Sequence, residues 1–220
     1  MGKSFAWSWS RLKNWRACPK RHYELDISKN IREEESEAIL WGKRFHKAME
    51  DRIGKNKPLP QELSRYEKWP AMLDPYQARV ELDLAVNRDF KPTAWFAPDT
   101  WLRAKVDVLM VKPDTAVALD WKTGKIDPEF EQLAITAQMV FSHHQSVQEV
   151  HTSYIWAKYD DETTKTYTRD DMAPLWAKLL PEVKRMEQAA KDMDYPPRPS
   201  GLCKSWCPVV SCPYHGKGSR

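Results

Sequence analysis

No part of this 220-residue chain holds the roughly 18 consecutive apolar residues needed to cross a bilayer. The first residues carry Trp and charge where a secretory leader would be apolar. The opening Met-Gly-Lys-Ser-Phe-Ala also lacks the Ser or Thr at position six that myristoylation requires. Cysteine is scarce, with four in all. The expectation is a cytoplasmic protein without membrane contact, whose cysteines are thiols or metal ligands rather than disulfides. Several catalytic signatures are missing too. Without a Gly-rich loop ending in Lys-Ser/Thr, an ATP-driven motor is excluded. There is no Gly-x-Ser-x-Gly elbow and no His-Glu-x-x-His helix. No internal repeat or low-complexity tract occurs.

Acidic residues are missing from both ends. Residues 1–22 hold six basic side chains (Lys3, Arg11, Lys13, Arg16, Lys20, Arg21) and residues 196–220 hold four (Arg198, Lys204, Lys217, Arg220). The net charge is +4, so the middle of the chain is acidic. Both basic ends contain Trp and Cys, which disordered tails rarely carry. A basic surface with aromatic residues suits a phosphate backbone with unstacked bases. Apolar residues make up 41% of the chain and include eleven Trp, enough for one large domain or one with a small appendage.

The apolar spacing gives the elements. Ser8 or Ser10 caps a short helix bearing Leu12 and Trp15, which stops near Cys18-Pro19. Residues 37–53 read as a helix with Trp41, Phe45 and Met49 on one face. Residues 57–75, punctuated by Pro, have room for one short helix. Strands follow over 78–89, 100–111 and 115–122, the last two joined by a Lys112-Pro113-Asp114 turn. Asp127-Pro128 opens a helix to about His144. Residues 150–158 and 163–168 form a strand pair. Asp170 or Asp171 starts a long helix to about Met193, broken by the prolines at 196–199. This order makes an α/β fold with helices packed on a sheet.

One strand carries chemistry. Asp120 and Lys122 follow four apolar residues and, two apart, point to the same face while Trp121 packs on the other. The preceding strand brings Asp107. Two carboxylates can hold a hard divalent cation, and the ammonium can orient a water or neutralise charge developing on phosphorus. On the 37–53 helix, Gly42, His46 and Glu50 lie along one face, with the glycine leaving room beside an imidazole suited to Mn²⁺.

Gly42-x-x-x-His46-x-x-x-Glu50, Asp107, Asp120-Trp121-Lys122 and Gln132, in that order, resemble the RecB-like branch of the PD-(D/E)XK nucleases. That branch includes CRISPR-associated RecB-like exonucleases, the AddB nuclease domain and related phage exonucleases. The opening Ser8-Trp9-Ser10-Arg11-Leu12, Trp15, Cys18-Pro19-x-Arg21 and Tyr23 is similar as well. The departures are Ala104 in place of a Gly three residues before Asp107, and Thr136 in place of a Tyr four residues after Gln132. The resemblance implies a restriction-endonuclease-like core, a central mixed sheet flanked by helices, as a single nuclease domain over 1–220. His46, Asp107, Asp120 and the Trp121 carbonyl would be ligands of Mg²⁺ or Mn²⁺. Lys122 would be the catalytic lysine and Gln132 its positioner or a DNA contact, with Glu81 an outer ligand of lower rank. It further implies a DNA exonuclease of recombination, repair or CRISPR adaptation in a bacterial or phage-infected cell, acting on single-stranded DNA or a free end. A homo-oligomer and recombination or CRISPR partner proteins stay open. The alternative is a DNA-end-binding module or structural subunit with little hydrolysis.

Cys203, Cys207 and Cys212 crowd the tail, and Cys18 is the one other cysteine. One Cys near the start and three near the end resemble the iron–sulfur staple of the same branch, in which four thiolates hold a [4Fe–4S] cluster and tie the termini together. Residues 1–22 and 196–220 would then form one Cys-rich, basic subdomain, with Arg11, Lys13, Arg16, Lys20 and Arg21 binding DNA. Zn²⁺ on Cys203, Cys207, Cys212 and His215 is the competing reading, and free thiols are the third.

Overall fold

The structure, a computed structural model, describes residues 5–32 and 35–217. Lys3 and Arg220, counted among the basic residues above, lie outside them. The elements are α1 (Trp9–Ala17), α2 (Pro19–His22), α3 (Glu37–Lys55), α4 (Lys68–Ala71), β1 (Arg79–Val86), β2 (Leu102–Val111), β3 (Thr115–Lys122), α5 (Phe130–His143), β4 (Glu149–Trp156), β5 (Asp161–Thr168) and α6 (Met172–Asp192). They fall into two compact units, residues 35–175 and the two chain ends together with α6 from Trp176 onward.

The unit of residues 35–175 is an α/β fold around a five-stranded mixed sheet in the order β1-β2-β3-β4-β5. β1, β2 and β3 run antiparallel, β1 joined to β2 by the long loop 87–101 and β2 to β3 by the tight turn 112–114. β3 and β4 run parallel, which requires a crossover, and α5 supplies it. β5 returns antiparallel on β4. α3 begins where the Ser36 hydroxyl accepts the Ile39 N–H and ends on Asn56 in the left-handed region (φ 52°). Its apolar stripe, Phe45 and Met49, is buried with Val108, Leu119, Trp121 and Ile155 in one core cluster. Arg52, nearly buried on the same helix, is held by Glu67 and by both carboxylate oxygens of Asp74, which pins the irregular 57–75 segment to α3.

Three elements differ from the sequence expectation. α5 starts at Phe130, not at Asp127: Pro128 disfavours helical backbone at Asp127, and Glu129 caps the helix with φ −95° and ψ 80°. Residues 57–75 hold a 3-10 turn (Gln61–Tyr66) followed by α4, in place of a single helix. α6 is entered through a 3-10 turn capped reciprocally by Thr168 and Asp171, so Met172 is its first residue.

In the terminal unit, Ser8 caps α1. A five-residue π-helical turn, Tyr23–Ile27, continues α2 and was not expected from the spacing. Trp7 meets Trp176 edge-on at 6.2 Å between ring centroids, and Arg16 forms a two-pronged pair with Glu182 at 2.8 and 2.9 Å. Among the described residues no helix is long and apolar enough to cross a membrane.

Candidate active site

The β2–β3 ladder ends at the pair Val108↔Leu119. One step further stand Asp107 and Asp120, and the strands part there. The Trp121 N–H, which would have continued the ladder, donates instead to Asp107 Oδ2 at 2.8 Å. Asp107 is thus fixed by a backbone amide of the neighbouring strand. Trp121 itself points the other way, into the core against Phe45, as period-two alternation requires.

α3 brings His46 to the same point. Its Nε2 lies 3.0 Å from the Trp121 carbonyl oxygen. A carbonyl can only accept, so Nε2 carries the proton in this arrangement, and Nδ1 presents a lone pair. Nδ1 faces Asp107 Oδ2 at 3.4 Å and Glu81 Oε1 at 4.0 Å. An imidazole lone pair and two carboxylates converging within 4.8 Å repel one another unless a cation or a proton sits between them. His46, Glu81 and Asp107 form the one such trio of metal-ligating side chains among the described residues. A ligating histidine that gives its other N–H to a backbone carbonyl is a common metal-site arrangement. Adjacent oxygen ligands on an octahedral ion at about 2.1 Å lie roughly 3 Å apart, close to the His46–Asp107 spacing.

Glu81 reaches the trio at a conformational cost. Its φ is +50° in the middle of β1, and it is the one residue of Arg79–Val86 without a partner in the β1–β2 register. A non-glycine residue in the left-handed region costs on the order of 1–3 kcal/mol and persists where its surroundings over-determine it. Burial, then the facing charge of Asp120, push the Asp107 carboxyl well above the ordinary carboxylate range; the Trp121 amide and Lys122 oppose this, and Glu81 adds to it. A divalent cation would relieve all the repulsive contributions together.

A second chain of contacts adjoins the trio. Lys122 Nζ lies 2.7 Å from Asp120 Oδ2 as an ion pair, and that buried oxygen accepts no well-angled hydrogen bond. Gln132 of α5 donates to Asp120 Oδ1 at 2.9 Å and accepts from Lys122 Nζ at 3.3 Å. These two contacts fix the amide's orientation, since the reverse would face NH₂ to ammonium and oxygen to carboxylate. Tyr154 of β4, fully buried, places its hydroxyl 3.0 Å from Gln132 Oε1 and 2.9 Å from the Glu129 carbonyl. Its ring lies under the Lys122 ammonium, 4.7 Å from nitrogen to centroid. Burial, then the charge of Asp120, push this phenol far above its ordinary value.

The trio opens on a cleft of about 640 Å³ between α3 and the β1–β2 strands, with Lys43, Lys47 and Lys105 on its walls. Gly42 sets its width. A Cβ there would lie 3.1 Å from Thr123 Oγ1, so the absent side chain lets α3 approach the turn after Lys122. Glu50 also lines the cleft but is engaged by Lys47 at 2.8 Å.

The residues expected in the site therefore divide. His46, Asp107 and the Trp121 carbonyl meet. Asp120, Lys122 and Gln132 meet beside them, with Asp120 outside the trio. Glu81, ranked low from the sequence, is inside it. Alternation puts it in the same polar register of β1 as Asp83, and the backbone turn that aims it was not legible. Tyr154 was missed because a tyrosine in an apolar strand reads as core.

In the terminal unit, Cys18, Cys203, Cys207 and Cys212 line one cavity, and none is in a disulfide. The Arg198 N–H donates to Cys18 Sγ at 3.2 Å and the Ser200 N–H to Cys203 Sγ at 3.4 Å. Of the basic residues expected on DNA, Arg16 is tied to Glu182 and Lys20 to Glu24 at 2.7 Å. Arg11 donates to the Ala6 carbonyl, Arg21 to Asn14 Oδ1, and Lys13 is exposed.

Comparison with known proteins agrees with this geometry. The chain resembles the protein SSO0001 (TM-score 0.50, 14% identity, 98% of this chain and 89% of the other covered). It also resembles a Eubacterium rectale protein provisionally assigned as an exonuclease (TM-score 0.61, 14% identity, 93% and 87% covered). No curated protein matches the sequence. At these identities the structures speak for the fold alone. Residues 6–213 match the family described as the PD-(D/E)XK nuclease superfamily. With acid, acid and lysine at the parting of two sheet strands and a match over nearly its whole length, the chain belongs to the PD-(D/E)XK nuclease superfamily.

Proposed function

We propose that this protein is a Mg²⁺- or Mn²⁺-dependent deoxyribonuclease of the RecB-like branch that shortens DNA from an end. The observation that carries the reading is the convergence of His46, Glu81 and Asp107 beside the Asp120–Lys122 pair at one end of β3. Members of the superfamily use divalent metals, and this donor set of one imidazole and carboxylate oxygens fits them. An ion held there would polarise the scissile phosphoryl group and acidify a bound water.

The chain's own residues supply the rest. Asp107, locked by the Trp121 amide, and Glu81, locked by its backbone turn, form a rigid anionic floor. Asp120 sits beside that floor, with Oδ2 ion-paired to Lys122 and Oδ1 held by Gln132. Lys122 Nζ, steered by Asp120, Gln132 and the Tyr154 ring, is positioned to hydrogen-bond the attacking water or to offset charge growing on the phosphoryl oxygens. Lys43, Lys47 and Lys105 bring ammonium groups to the cleft mouth, each paired there with a carboxylate (Glu35, Glu50 and Glu81), and a phosphate backbone would bind by sharing them.

The four cysteines support a separate, structural metal group. Tetrahedral zinc at 2.3 Å from sulfur sets thiolates about 3.8 Å apart. No three of these thiols are within 4.8 Å of one another among the described residues. The cavity they line includes Cys18 and not His215. Both points favour a [4Fe–4S] cluster over a Cys3His zinc site, and two backbone N–H groups already aim at sulfur, as in such clusters. The group would tie the two chain ends together. The setting, whether recombination, repair or CRISPR adaptation, rests on the resemblance alone.

The test is digestion of end-labelled linear and covalently closed circular DNA with Mn²⁺. Linear DNA, single- or double-stranded, should be degraded and circles spared, and Asp120→Ala and Lys122→Ala should each abolish degradation without loss of circular dichroism. Full activity in either purified variant would overturn the assignment. Cutting of circles would replace exonuclease with endonuclease.

A further inference from the structure

The β1–β2 hairpin does not stop at the site. β2 pairs with β1 back to Leu102↔Val86, while β3 ends at Lys122. The two strands run past the carboxylates as an arm, capped by residues 87–101. Arg103, Lys105 and Asp107 alternate along one face of β2, opposite the buried Leu102, Val106 and Val108. Lys105 and Asp107 already line the cleft. Four residues at about 3.3 Å each put Arg103 roughly 13 Å from Asp107, the length of about four stacked nucleotides at 3.4 Å per base.

At the arm's tip the Arg103 guanidinium lies against two aromatic rings, 5.6 Å from the Trp95 centroid and 5.4 Å from Phe96. Phe96 is 84% exposed, the most exposed of the large apolar side chains described. The loop that presents it is not loose. The Asn87 carboxamide caps the Asp89 and Lys91 amides, Thr93 and Trp101 bond back to Ala85 and Val86, and Thr100 bonds Thr93 and the Ala94 carbonyl. A firmly hydrogen-bonded loop that leaves an aromatic face in water, beside a cation and on the strand face that leads to the catalytic carboxylates, matches the chemistry of base stacking plus phosphate contact.

We infer that Trp95, Phe96 and Arg103 form a stacking station for an unpaired base of the nucleic-acid strand held in the cleft, about four nucleotides from the scissile bond. The inference rests on the nuclease reading for its occupant, and a single strand is favoured because a paired base has no free face to offer. Arg103 supplies the phosphate contact and the aromatic pair the sequence-tolerant one.

The experiment uses the full-length protein in EDTA with single-stranded oligonucleotides carrying 2-aminopurine at successive positions. One position, about four nucleotides from the site of cleavage, should be quenched. Phe96→Ala should remove that quenching and weaken binding about tenfold at every salt concentration, while Phe96→Trp should keep both. Arg103→Ala should weaken binding mainly at low salt. Turnover of thymidine 5′-p-nitrophenyl phosphate, too short to reach the arm, should be unchanged in Phe96→Ala. Uniform quenching, unaltered affinity in Phe96→Ala, or an equal loss on the short ester would overturn the inference. So would dissociation of a dimer by Phe96→Ala with DNA binding intact. If the wild type binds and quenches but cleaves neither substrate with Mn²⁺, the nuclease reading fails and the station stands.

Discussion

The two donor clusters of this molecule are built in opposite ways. The oxygen and imidazole donors sit on regular elements: a helix face, two strands and the end of a third, with His46 and Asp107 fixed by backbone hydrogen bonds and Glu81 aimed by a left-handed turn within its strand. The thiols sit where regular structure gives out. Cys18 is the break between two helices, and Cys203 to Cys212 occupy short turns. A sheet can hold like charges together against repulsion because its own ladder carries the load. Turns cannot, and thiols in turns gain order from what they bind. The first cluster is therefore preformed and strained, whereas the second, if it holds the metal group proposed for it, would gain its stability on filling.

The largest expected effects sharpen this contrast. Lys122→Ala should lower the cleavage rate by about 10²–10⁴-fold and leave the thermal midpoint nearly unchanged, as read by steady-state digestion and calorimetry. Cys18→Ala should do the reverse: bleach the visible absorbance of an iron–sulfur protein, lower the midpoint by several degrees, and leave Mn²⁺ binding at His46, Glu81 and Asp107 intact by titration. A colourless wild type with stoichiometric zinc, or a Cys18→Ala protein that keeps its stability, would break the assignment of the four thiols.

Of intermediate size is Tyr154→Phe. A hydroxyl has one proton, shared here between the Glu129 carbonyl and Gln132 Oε1. Its loss leaves the ring under Lys122 but frees one end of the Gln132 amide. Cleavage should fall about three- to tenfold and stability by about 1 kcal/mol, both smaller than the Lys122→Ala loss because Lys122 and Asp120 still orient the amide. An unchanged rate in single-turnover cleavage would show that Gln132 needs no third contact.

Much of the strand-borne site could be read from the sequence. Ala116 to Leu119 announce a buried strand, and Asp120 and Lys122 at its end share a face by simple alternation, as the ion pair bears out. Gly42 one turn before His46 reads as room for a ligand beside the imidazole, whereas what stands against it is Thr123, 3.1 Å from where a Cβ would lie. What was hidden depends on backbone detail that no residue type encodes. Glu81 belongs to the trio only because φ turns positive inside a strand, where alternation would have given an ordinary exposed acid. The start of α5 moved because Pro128 keeps Asp127 out of helical backbone and Glu129 stands at the cap instead. The place of Cys18 beside a tail 185 positions away has no local signature at all, and only the resemblance to the iron–sulfur staple pointed to it.

The smallest effect tests whether the carboxylate floor is strained in the way its geometry requires. In the metal-free protein the folded-state Asp107 carboxyl titrates well above its unfolded value, first through burial and then through the charge of Asp120. An acid raised in this way contributes stability that is fully present below its unfolded value, near pH 4. That stability is lost as pH rises through the folded-state value, because the unfolded chain has already released the proton. Asp107→Asn removes the titrating group while its side-chain oxygen still accepts the Trp121 N–H. The metal-free variant should therefore equal the wild type near pH 4 and exceed it at pH 8, read as a higher thermal midpoint. Mn²⁺ should reverse the order at pH 8 by stabilising only the wild type. Parallel stability–pH curves for the two proteins would mean that Asp107 is not held against repulsion, and that the floor is a neutral hydrogen-bonded surface rather than a site awaiting a cation.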